Sequence, residues 1–141
     1  MIEYIGNIWD YHVGGYVVIP TNGDVKNNGE AVMGKGLALE ATDRFPALPR
    51  ILGEALRKHG NRVFIHNDMR LVTFPTKHSW TEPADMELIV KGLRQLTGLW
   101  TSNRGNLYLP KLGCGLGKLD WAVVRRVMDA YLTNDNFIVI L

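Results

Sequence analysis

Strand-like and helical patterns alternate along this chain, and that alternation constrains the fold more than any other feature. The run GYVVIP at 15–20 is rich in β-branched residues and predicts a strand buried on both faces. Residues 84–100 repeat apolar side chains at helical spacing, which predicts an amphipathic helix. The other predicted strands are 2–6, 62–66, 70–75, 106–110 and 136–141, with 62–66 and 70–75 forming a hairpin, and the other predicted helices are 37–46, 47–60 and 121–132. Interleaved strands and helices predict an α/β layered fold around a mostly parallel or mixed sheet.

The size and composition of the chain limit its class. A chain of 141 residues suits one domain, 1–141, and its apolar content of 46% and charged content of 21% are typical of globular proteins. The single cysteine suggests a reducing compartment, and the absence of a basic leader or a long apolar run predicts a cytoplasmic protein without membrane association. The four histidines have no ligand spacing, so we expect neither a metal nor a cofactor.

Three segments rich in functional residue types each follow a predicted strand. They are the polar loop 21–36, residues 74–80 and the glycine-rich segment 111–119. Ligands of α/β sheets bind beyond the carboxyl ends of the strands. We therefore expect the three segments to meet at one edge of the sheet.

Two of these segments carry glycines directly before a helical pattern. They read AVMGKGLALE and LPKLGCGLGKLDW, and neither has the spacing of a P-loop or of a dinucleotide-binding turn. Main-chain amides without side-chain bulk can wrap an anion, so two such loops that face each other would suit a diphosphate. The structural alternative is a pair of tight turns whose glycines supply positive φ angles.

The order and content of these motifs resemble the macro domain, the ADP-ribose-binding fold. The resemblance rests on NIWDYHVGGYVVIPTNGDVKNNGEAVMGKGLALEATDRFP, FPTKHSW and LPKLGCGLGKLDW, and it covers nearly the whole chain in the right order. The most similar branch contains the antitoxin macro domain that removes ADP-ribose from thymidine in DNA. The resemblance implies a three-layer α/β/α sandwich with a central mixed sheet.

The resemblance also implies a role for individual residues. Asn7 stands where the family usually has an aspartate that holds the adenine amino group, and Ile8 would lie against the adenine. Asn22 matches the asparagine that contacts the distal ribose. The first phosphate loop would comprise Met33, Gly34, Lys35 and Gly36, and the second would comprise Gly113, Cys114, Gly115, Leu116 and Gly117.

Lys77 matches the lysine that this branch uses in catalysis. It follows a predicted strand and a proline, so it should lie at the same sheet edge, where it can act as a proton acceptor or a nucleophile at the anomeric carbon. The alternative is a solvated or phosphate-binding lysine. His78 is a second candidate base, and for Trp80 we expect packing rather than ligand contact.

One position departs from the relatives that act on protein carboxylates. Those relatives carry an aspartate directly after GCGL, whereas this chain has Gly117, as does the DNA-directed branch. In addition, the polar loop is longer than that of the antitoxin, and Asp24, Lys26 and Glu30 can alter access to the distal ribose.

The resemblance therefore implies binding of ADP-ribose and hydrolysis of an ADP-ribosyl linkage, with thymidine-linked ADP-ribose on DNA, or ADP-ribose on another nucleophile, as the expected substrate. Such a DNA would be single-stranded or would present its base outside the stack. The alternatives are a phosphatase acting on ADP-ribose 1″-phosphate and a non-catalytic binder of ADP-ribose.

Overall fold

The computed structural model describes all residues, Met1–Leu141, and shows one six-stranded sheet with helices on both faces. The strands are β1 (Ile2–Tyr4), β2 (Gly15–Thr21), β3 (Phe64–His66), β4 (Leu71–Pro75), β5 (Asn106–Leu109) and β6 (Phe137–Ile140). The helices are α1 (Gly36–Arg44), α2 (Leu48–His59), α3 (Met86–Leu99) and α4 (Trp121–Tyr131), with two 3₁₀ helices at Ile8–Gly14 and Ser102–Arg104. Every predicted strand and helix is present, whereas neither 3₁₀ helix was predicted.

The sheet is mixed, as the sequence predicted. Its strand order is β1-β6-β5-β2-β4-β3, and all neighbouring strands are parallel except β3 and β4. Those two strands form the predicted hairpin, in which Ile65 pairs with Val72. Because β5, β2 and β4 are parallel neighbours, their carboxyl ends lie together at one edge of the sheet.

Helices cover both faces of the sheet and create a core on each side. On one face Val18 packs with Leu93 of α3 and Met128 of α4 in a cluster of 16 buried residues. On the other face Val17 and Ile19 pack with residues of α1 and α2 in a cluster of 13. Successive side chains of β2 therefore alternate between two cores, which is the arrangement of a three-layer α/β/α sandwich.

Local sequence signals set the helix boundaries that lie near the site. Asp85 precedes α3 and its carboxylate accepts a hydrogen bond from the main-chain N–H of Glu87 at 3.0 Å. Asp120 caps α4 in the same way through the N–H of Ala122, as predicted. Gly60, with φ of 84°, ends α2 as predicted. None of the helices is long and apolar enough to cross a membrane.

Candidate functional site

The three segments singled out in the sequence lie at the same edge of the sheet, beyond β2, β4 and β5. The first two are joined directly, since the main-chain N–H of Gly23 donates to the carbonyl of His78 at 3.1 Å. The carboxylate of Asp24 also accepts hydrogen bonds from Ser79 Oγ and from the N–H of Trp80, both at 2.8 Å. These contacts hold residues 77–80 against the loop that follows β2.

The glycine-rich segment after β5 completes this group. The carbonyl of Gly117 accepts a hydrogen bond from the N–H of Ala84 at 3.1 Å, which ties the segment to the chain just before α3. The Leu116 side chain, 59% exposed, reaches over to the first glycine loop: its Cδ1 lies 3.8 Å from the point that a Cβ on Gly36 would occupy. The two glycine loops therefore face each other at close range.

Both loops present main-chain amides that find no acceptor within the chain. In the first loop these are the amides of residues 33–38, and in the second those of residues 115–117. Free amide groups in succession form a concave donor surface that suits an anion. The two series together offer hydrogen-bond donors from both sides of the gap between the loops.

The first series includes the N-terminus of α1, which has no side-chain cap. Lys35 stands at the N-cap position and makes no capping hydrogen bond, and the first turn contains no acidic residue. The partial positive charge of this helix end is therefore available to a ligand.

The second series differs from the sequence expectation in one respect. The segment lies before α4, but Asp120 already occupies the amino end of that helix. The dipole of α4 is therefore neutralised by the chain's own carboxylate, and only the amides of the loop itself remain available for an anion.

The glycines of these loops are required for different reasons. Gly113 has φ of 72°, and a Cβ there would lie 2.9 Å from Ile89 Cδ1. A Cβ on Gly117 would lie 2.5 Å from the carbonyl oxygen of Gly113 and 2.7 Å from Ala84 Cβ. In contrast, a Cβ on Gly34 or Gly115 would meet nothing within 4 Å. Turn geometry and internal packing account for the first two glycines but leave Gly34 and Gly115 unexplained.

Lys77 is fixed by its main chain and free at its side chain. Its carbonyl accepts from Asn61 Nδ2 at 3.0 Å, and its N–H donates to the carbonyl of Thr21 at 3.4 Å. The half-buried side chain has no hydrogen bond or ion pair within the chain. Its ammonium group is therefore available at the sheet edge, next to the loop that follows β2.

Asn61 is a residue that the sequence analysis missed. Besides binding the Lys77 carbonyl, its side chain lies against Gly23, where a Cβ would be 3.0 Å from Asn61 Nδ2. Its Oδ1 is buried and has no partner. Nothing in a lone asparagine after a helix indicates this position, because the contact depends on how α2 packs beside β4.

His78 is engaged outside the gap between the loops. Its Nε2 lies 2.7 Å from Asp85 Oδ2, on the exposed surface. Mainly through this hydrogen bond, the pKa of the Asp85 carboxyl lies below its ordinary value. The interaction links the Lys77 segment to the amino end of α3.

Two predicted ligand-binding side chains have structural partners of their own. Asn22 donates from Nδ2 to the carbonyl of Val32 at 3.0 Å and accepts at Oδ1 from the N–H of Asp24 at 2.9 Å. Asn7 caps the first 3₁₀ helix by accepting from the N–H of Trp9 at 3.0 Å. Each amide retains further hydrogen-bonding capacity, since an oxygen has two lone pairs and an NH₂ group has two hydrogens.

Asn7 and Ile8 follow a different strand from those that lead into the glycine loops. They follow β1, and strands β6 and β5 separate β1 from β2. Ile8 is half-buried against the core on the α1 side, and the neighbouring Trp9 donates from Nε1 to Glu40 Oε1 of α1 at 3.2 Å. The structure thus places these two residues on the same edge, at the β1 end of the row.

Neither Met33 nor Cys114 offers a reactive side chain to a ligand. Met33 is 5% exposed and belongs to the core on the α1 side. Cys114 is half-buried, its thiol donates to the carbonyl of Leu112 at 3.3 Å, and burial raises its pKa. Cys114 therefore remains a neutral thiol at neutral pH and is a poor nucleophile.

Trp80 does not pack as the sequence analysis expected. Its side chain is 55% exposed and takes part in none of the ring–ring or cation–π contacts of the chain. The hydrogen bond to Asp24 fixes its main chain while leaving the indole at the surface.

Two surface grooves lie beside helix α1, and one of them borders the first glycine loop. One groove, of about 450 Å³, is lined on one side by Met33 and Gly34 and on the other by α1 and Pro49. A second, of about 560 Å³, lies between the end of α1 and the β3–β4 turn. The first groove shares Met33 and Gly34 with the first glycine loop, whereas the second contains no residue of either loop.

The relatives found by comparison with known proteins carry the name DNA ADP-ribosyl glycohydrolase, alone or in a fusion. No protein-family model matches the chain. A DNA ADP-ribosyl glycohydrolase of Thermus aquaticus is 32% identical, over 73% of this chain and 32% of the relative. A DNA ADP-ribosyl transferase–DNA ADP-ribosyl glycohydrolase fusion protein of Thermosipho africanus is 28% identical, over 78% of this chain and 35% of the relative. The chain thus spans about a third of the length of these curated relatives.

Solved structures give the same result for the fold. The macrodomain of Thermus aquaticus DarG superposes with a TM-score of 0.78 at 27% identity, over 99% of this chain and 95% of that one. Thermosipho africanus DarTG in complex with ADP-ribose superposes with a TM-score of 0.80 at 24% identity, over 99% of this chain and 41% of that one. The macrodomain of Mycobacterium tuberculosis DarG superposes with a TM-score of 0.79 at 24% identity, over 99% of this chain and 97% of that one.

Proposed function

This chain is a macrodomain, and on that premise we propose that it binds ADP-ribose and hydrolyses the bond between ADP-ribose and a base of single-stranded DNA. We also propose that residues 1–141 act as one domain. The names of the relatives and the ADP-ribose bound to one of the structural neighbours support the choice of ligand and substrate. The arguments from this chain itself are the free amides, the free lysine and their order along the sheet edge.

One observation carries the proposal: amides 33–38 and 115–117 have no acceptors in the chain, and they lie in two loops that approach each other at Leu116 and Gly36. A diphosphate has acceptor oxygens on both sides and carries the negative charge that suits the uncapped end of α1. Gly34 and Gly115 are then explained, because their missing side chains let phosphate oxygens reach the amides. Lys35, exposed at the start of α1, adds a positive charge beside the same oxygens.

The order of the groups along ADP-ribose matches the order of residues along the edge. Asn7 and Ile8 follow β1, the second glycine loop follows β5, Asn22 and the first loop follow β2, and Lys77 follows β4. Four strand spacings separate β1 from β4, or about 19 Å. Adenine would lie at the Asn7 end, the diphosphate between the loops and the distal ribose near Asn22.

This placement brings the anomeric carbon of the distal ribose near Lys77. In hydrolysis the bond from this carbon to the base breaks, a water oxygen takes its place and the base leaves with a proton. Lys77 supplies either the proton transfer or a transient nucleophile at that carbon. An aspartate in place of Gly117 would collide with the Gly113 carbonyl and Ala84, so internal packing by itself requires glycine there.

A substrate comparison tests the proposal. The protein is incubated with an ADP-ribosylated single-stranded oligonucleotide, a protein ADP-ribosylated on carboxylates and ADP-ribose 1″-phosphate, and the products are quantified. We expect release of ADP-ribose from the oligonucleotide, and loss of about two or more orders of magnitude in kcat for Lys77→Ala with little change in ADP-ribose affinity. Lys91→Ala, on the exposed face of α3, is the matched control and should behave as the unmodified protein.

The other outcomes separate the alternatives. Release of inorganic phosphate alone identifies an ADP-ribose 1″-phosphate phosphatase. Tight binding of ADP-ribose with no turnover of any substrate identifies a non-catalytic binder. Turnover that Lys77→Ala leaves intact contradicts the assigned role of the lysine.

A further inference from the structure

The proposed function leaves one cluster of side chains unused, at the Lys77 end of the sheet edge. It comprises the exposed indole of Trp80 and four exposed cations: Lys26, Arg57, Lys58 and Arg62. We propose that this cluster, here called the basic rim, is the surface on which the rest of the single-stranded nucleic acid lies, with Trp80 as a stacking platform for a base. The inference rests on the proposed function for the identity of the substrate. It adds where the single-stranded nucleic acid runs across the protein surface.

The first argument is that Trp80 has an exposed side chain on a main chain that is held in place. An exposed indole leaves a large apolar surface in water, and no ring or cation of the chain covers it. Its main chain is nevertheless held by Asp24, which also binds Ser79. A large aromatic side chain on a fixed main chain can accept a stacked base without first ordering a loop.

The second argument is its position relative to Lys77. Trp80 follows Lys77 by three positions, so their Cα atoms lie at most about 11 Å apart. A strand joined to the distal ribose at Lys77 therefore passes within reach of the indole. Trp80 would contact the base of a nucleotide next to the modified one.

The third argument is the charge beside these residues. Arg57 Nη2 donates to the Lys26 carbonyl at 3.1 Å, which joins the last turn of α2 to the loop after β2. Asn61, adjacent to Arg62 in sequence, binds the Lys77 carbonyl. The four cations of the basic rim are thus carried on segments that contact the segment of Lys77.

These cations have no acidic partners. The two ion pairs of the chain are His78–Asp85 and Arg125–Glu3, and neither involves the basic rim. Among the carboxylates of this region, Asp24 binds Ser79 and Trp80, and Glu30 accepts from Asn28. Glu54 lies one helical turn before Arg57 and Lys58 but forms an ion pair with neither. Arg57 and Lys58 also complement the dipole of α2, but that role explains neither Lys26 nor Arg62, which lie outside the helix.

A positively charged surface with an exposed aromatic ring is the combination that binds single strands without sequence preference. The overall charge of +2 is too small to attract nucleic acid by itself, so the attraction would be local to this surface. An acidic protein surface would use the cations but would leave the indole without a role.

Two measurements test the basic rim, and only the second requires catalysis. The first is the Kd of a fluorescent, unmodified single-stranded thymidine oligonucleotide as a function of salt, measured by anisotropy. The second is kcat and KM for an ADP-ribosylated oligonucleotide and for the ADP-ribosylated nucleoside alone. The variants are Trp80→Ala, Trp80→Phe and the double variant Lys58→Gln with Arg62→Gln, and Arg126→Gln on the exposed face of α4 is the control.

We expect Trp80→Ala to raise the oligonucleotide Kd and KM about tenfold with kcat unchanged, and Trp80→Phe to restore most of the loss, because a phenyl ring also stacks. The double variant should reduce the slope of log Kd against log salt by about 1.4. The nucleoside should be hydrolysed equally by all variants. Arg126→Gln should match the unmodified protein, and thermal unfolding should show that each variant is folded.

The results distinguish this inference from the proposed function. If Trp80→Ala and the double variant retain the oligonucleotide Kd and salt slope of the unmodified protein, the basic rim is wrong whatever the activity. An equal loss on nucleoside and oligonucleotide also overturns it, since Trp80 would then contact the ADP-ribosyl group. If binding depends on the basic rim but no ADP-ribose is released, the rim stands and the hydrolase proposal fails.

Discussion

At the scale of single residues, the two loops contain glycines whose Cβ would collide with the chain and glycines that we propose are needed only for ligand binding. Gly117 belongs to the first kind, because a Cβ there would collide with main chain. Gly115 belongs to the second, because the space around it is open. The sequence GCGLGK gives no means of telling the two kinds apart, since the difference lies in what packs against each position.

Substitution by alanine should separate these roles. Gly117→Ala should lower the free energy of unfolding by about 1–3 kcal/mol, because the loop has to move to admit the methyl group. Gly115→Ala should leave that free energy nearly unchanged but weaken ADP-ribose binding about tenfold, since the methyl group obstructs a charged acceptor at the amide. Urea denaturation and calorimetry measure the two effects. Equal affinity of Gly115→Ala and the unmodified protein would contradict the placement of the diphosphate.

Asn7 caps the first 3₁₀ helix, and it is also the residue that we propose binds the adenine amino group. Asn7→Asp keeps an acceptor for the N–H of Trp9 and adds a charge for the adenine amino group. We expect ADP-ribose to bind about threefold to tenfold more tightly to this variant, with no loss of stability. Calorimetry with ADP-ribose checks this, and an unchanged or weaker affinity would place adenine elsewhere.

At the scale of elements, the helices that begin near the site differ in whether a side chain caps their amino ends. Asp85 and Asp120 cap α3 and α4, whereas α1 begins at Lys35 without a side-chain cap. A capped helix end has satisfied its own amides, and an uncapped one offers them to a ligand. We therefore propose anion binding at the amino end of α1, whereas the aspartate before α4 has a structural role as its cap.

Removal of the α4 cap should affect stability alone. Asp120→Ala should lower the free energy of unfolding by about 1 kcal/mol, because the N–H of Ala122 loses its acceptor. The ADP-ribose Kd should stay within about twofold of its original value, as the amides of the second loop are independent of the cap. Denaturation and calorimetry on the same sample test this; a large loss of affinity would mean that the amino end of α4 contacts the ligand.

Protonation of His66, in strand β3, should lower the stability of the protein in mildly acidic solution. His66 accepts or donates a hydrogen bond with Thr73 Oγ1 at 2.9 Å, and burial lowers its pKa from 6.5. The unfolded chain therefore takes up a proton at a higher pH than the folded one. The free energy of unfolding should fall as the pH drops below 6.5, by at most about 1.4 kcal/mol per pH unit. The decrease should end once the pH is below the pKa of His66 in the folded protein.

The matched variant for this titration is His66→Gln, which cannot be protonated. Urea denaturation between pH 7.5 and about 5 should show a smaller dependence of stability on pH for the variant than for the unmodified protein. Identical slopes for the two proteins would show that another group is responsible.

The sequence predicted the elements well where periodicity and caps are local properties. The apolar spacing of α3, the Asp120 cap and the β-branched run of β2 each lie within one short segment. The 3₁₀ helix Ile8–Gly14 was missed because seven residues with eclipsed side chains produce no helical repeat. The partners of Asn61, Asp24 and Trp80 were missed because they depend on how separate segments pack.

At the scale of the whole molecule, the sheet order turns separate motifs into one row. Strands β1, β5, β2 and β4 are dispersed in the sequence, yet their carboxyl ends follow one another along a single edge with only β6 inserted. The predicted convergence of 21–36, 74–80 and 111–119 follows from parallel pairing of three adjacent strands. The position of Asn7 at the far end depends on the pairing of β1 with β6, which the sequence did not indicate.

The central claim is that two facing series of main-chain amides bind one diphosphate. The most direct measurement is a titration of the ¹⁵N-labelled protein with ADP-ribose, followed by amide resonances. The account predicts that the largest changes fall on residues 33–38 and 115–117, the amides without acceptors in the free chain. Changes confined to the groove between Arg44 and Met69, or no change at saturating ADP-ribose, would contradict it.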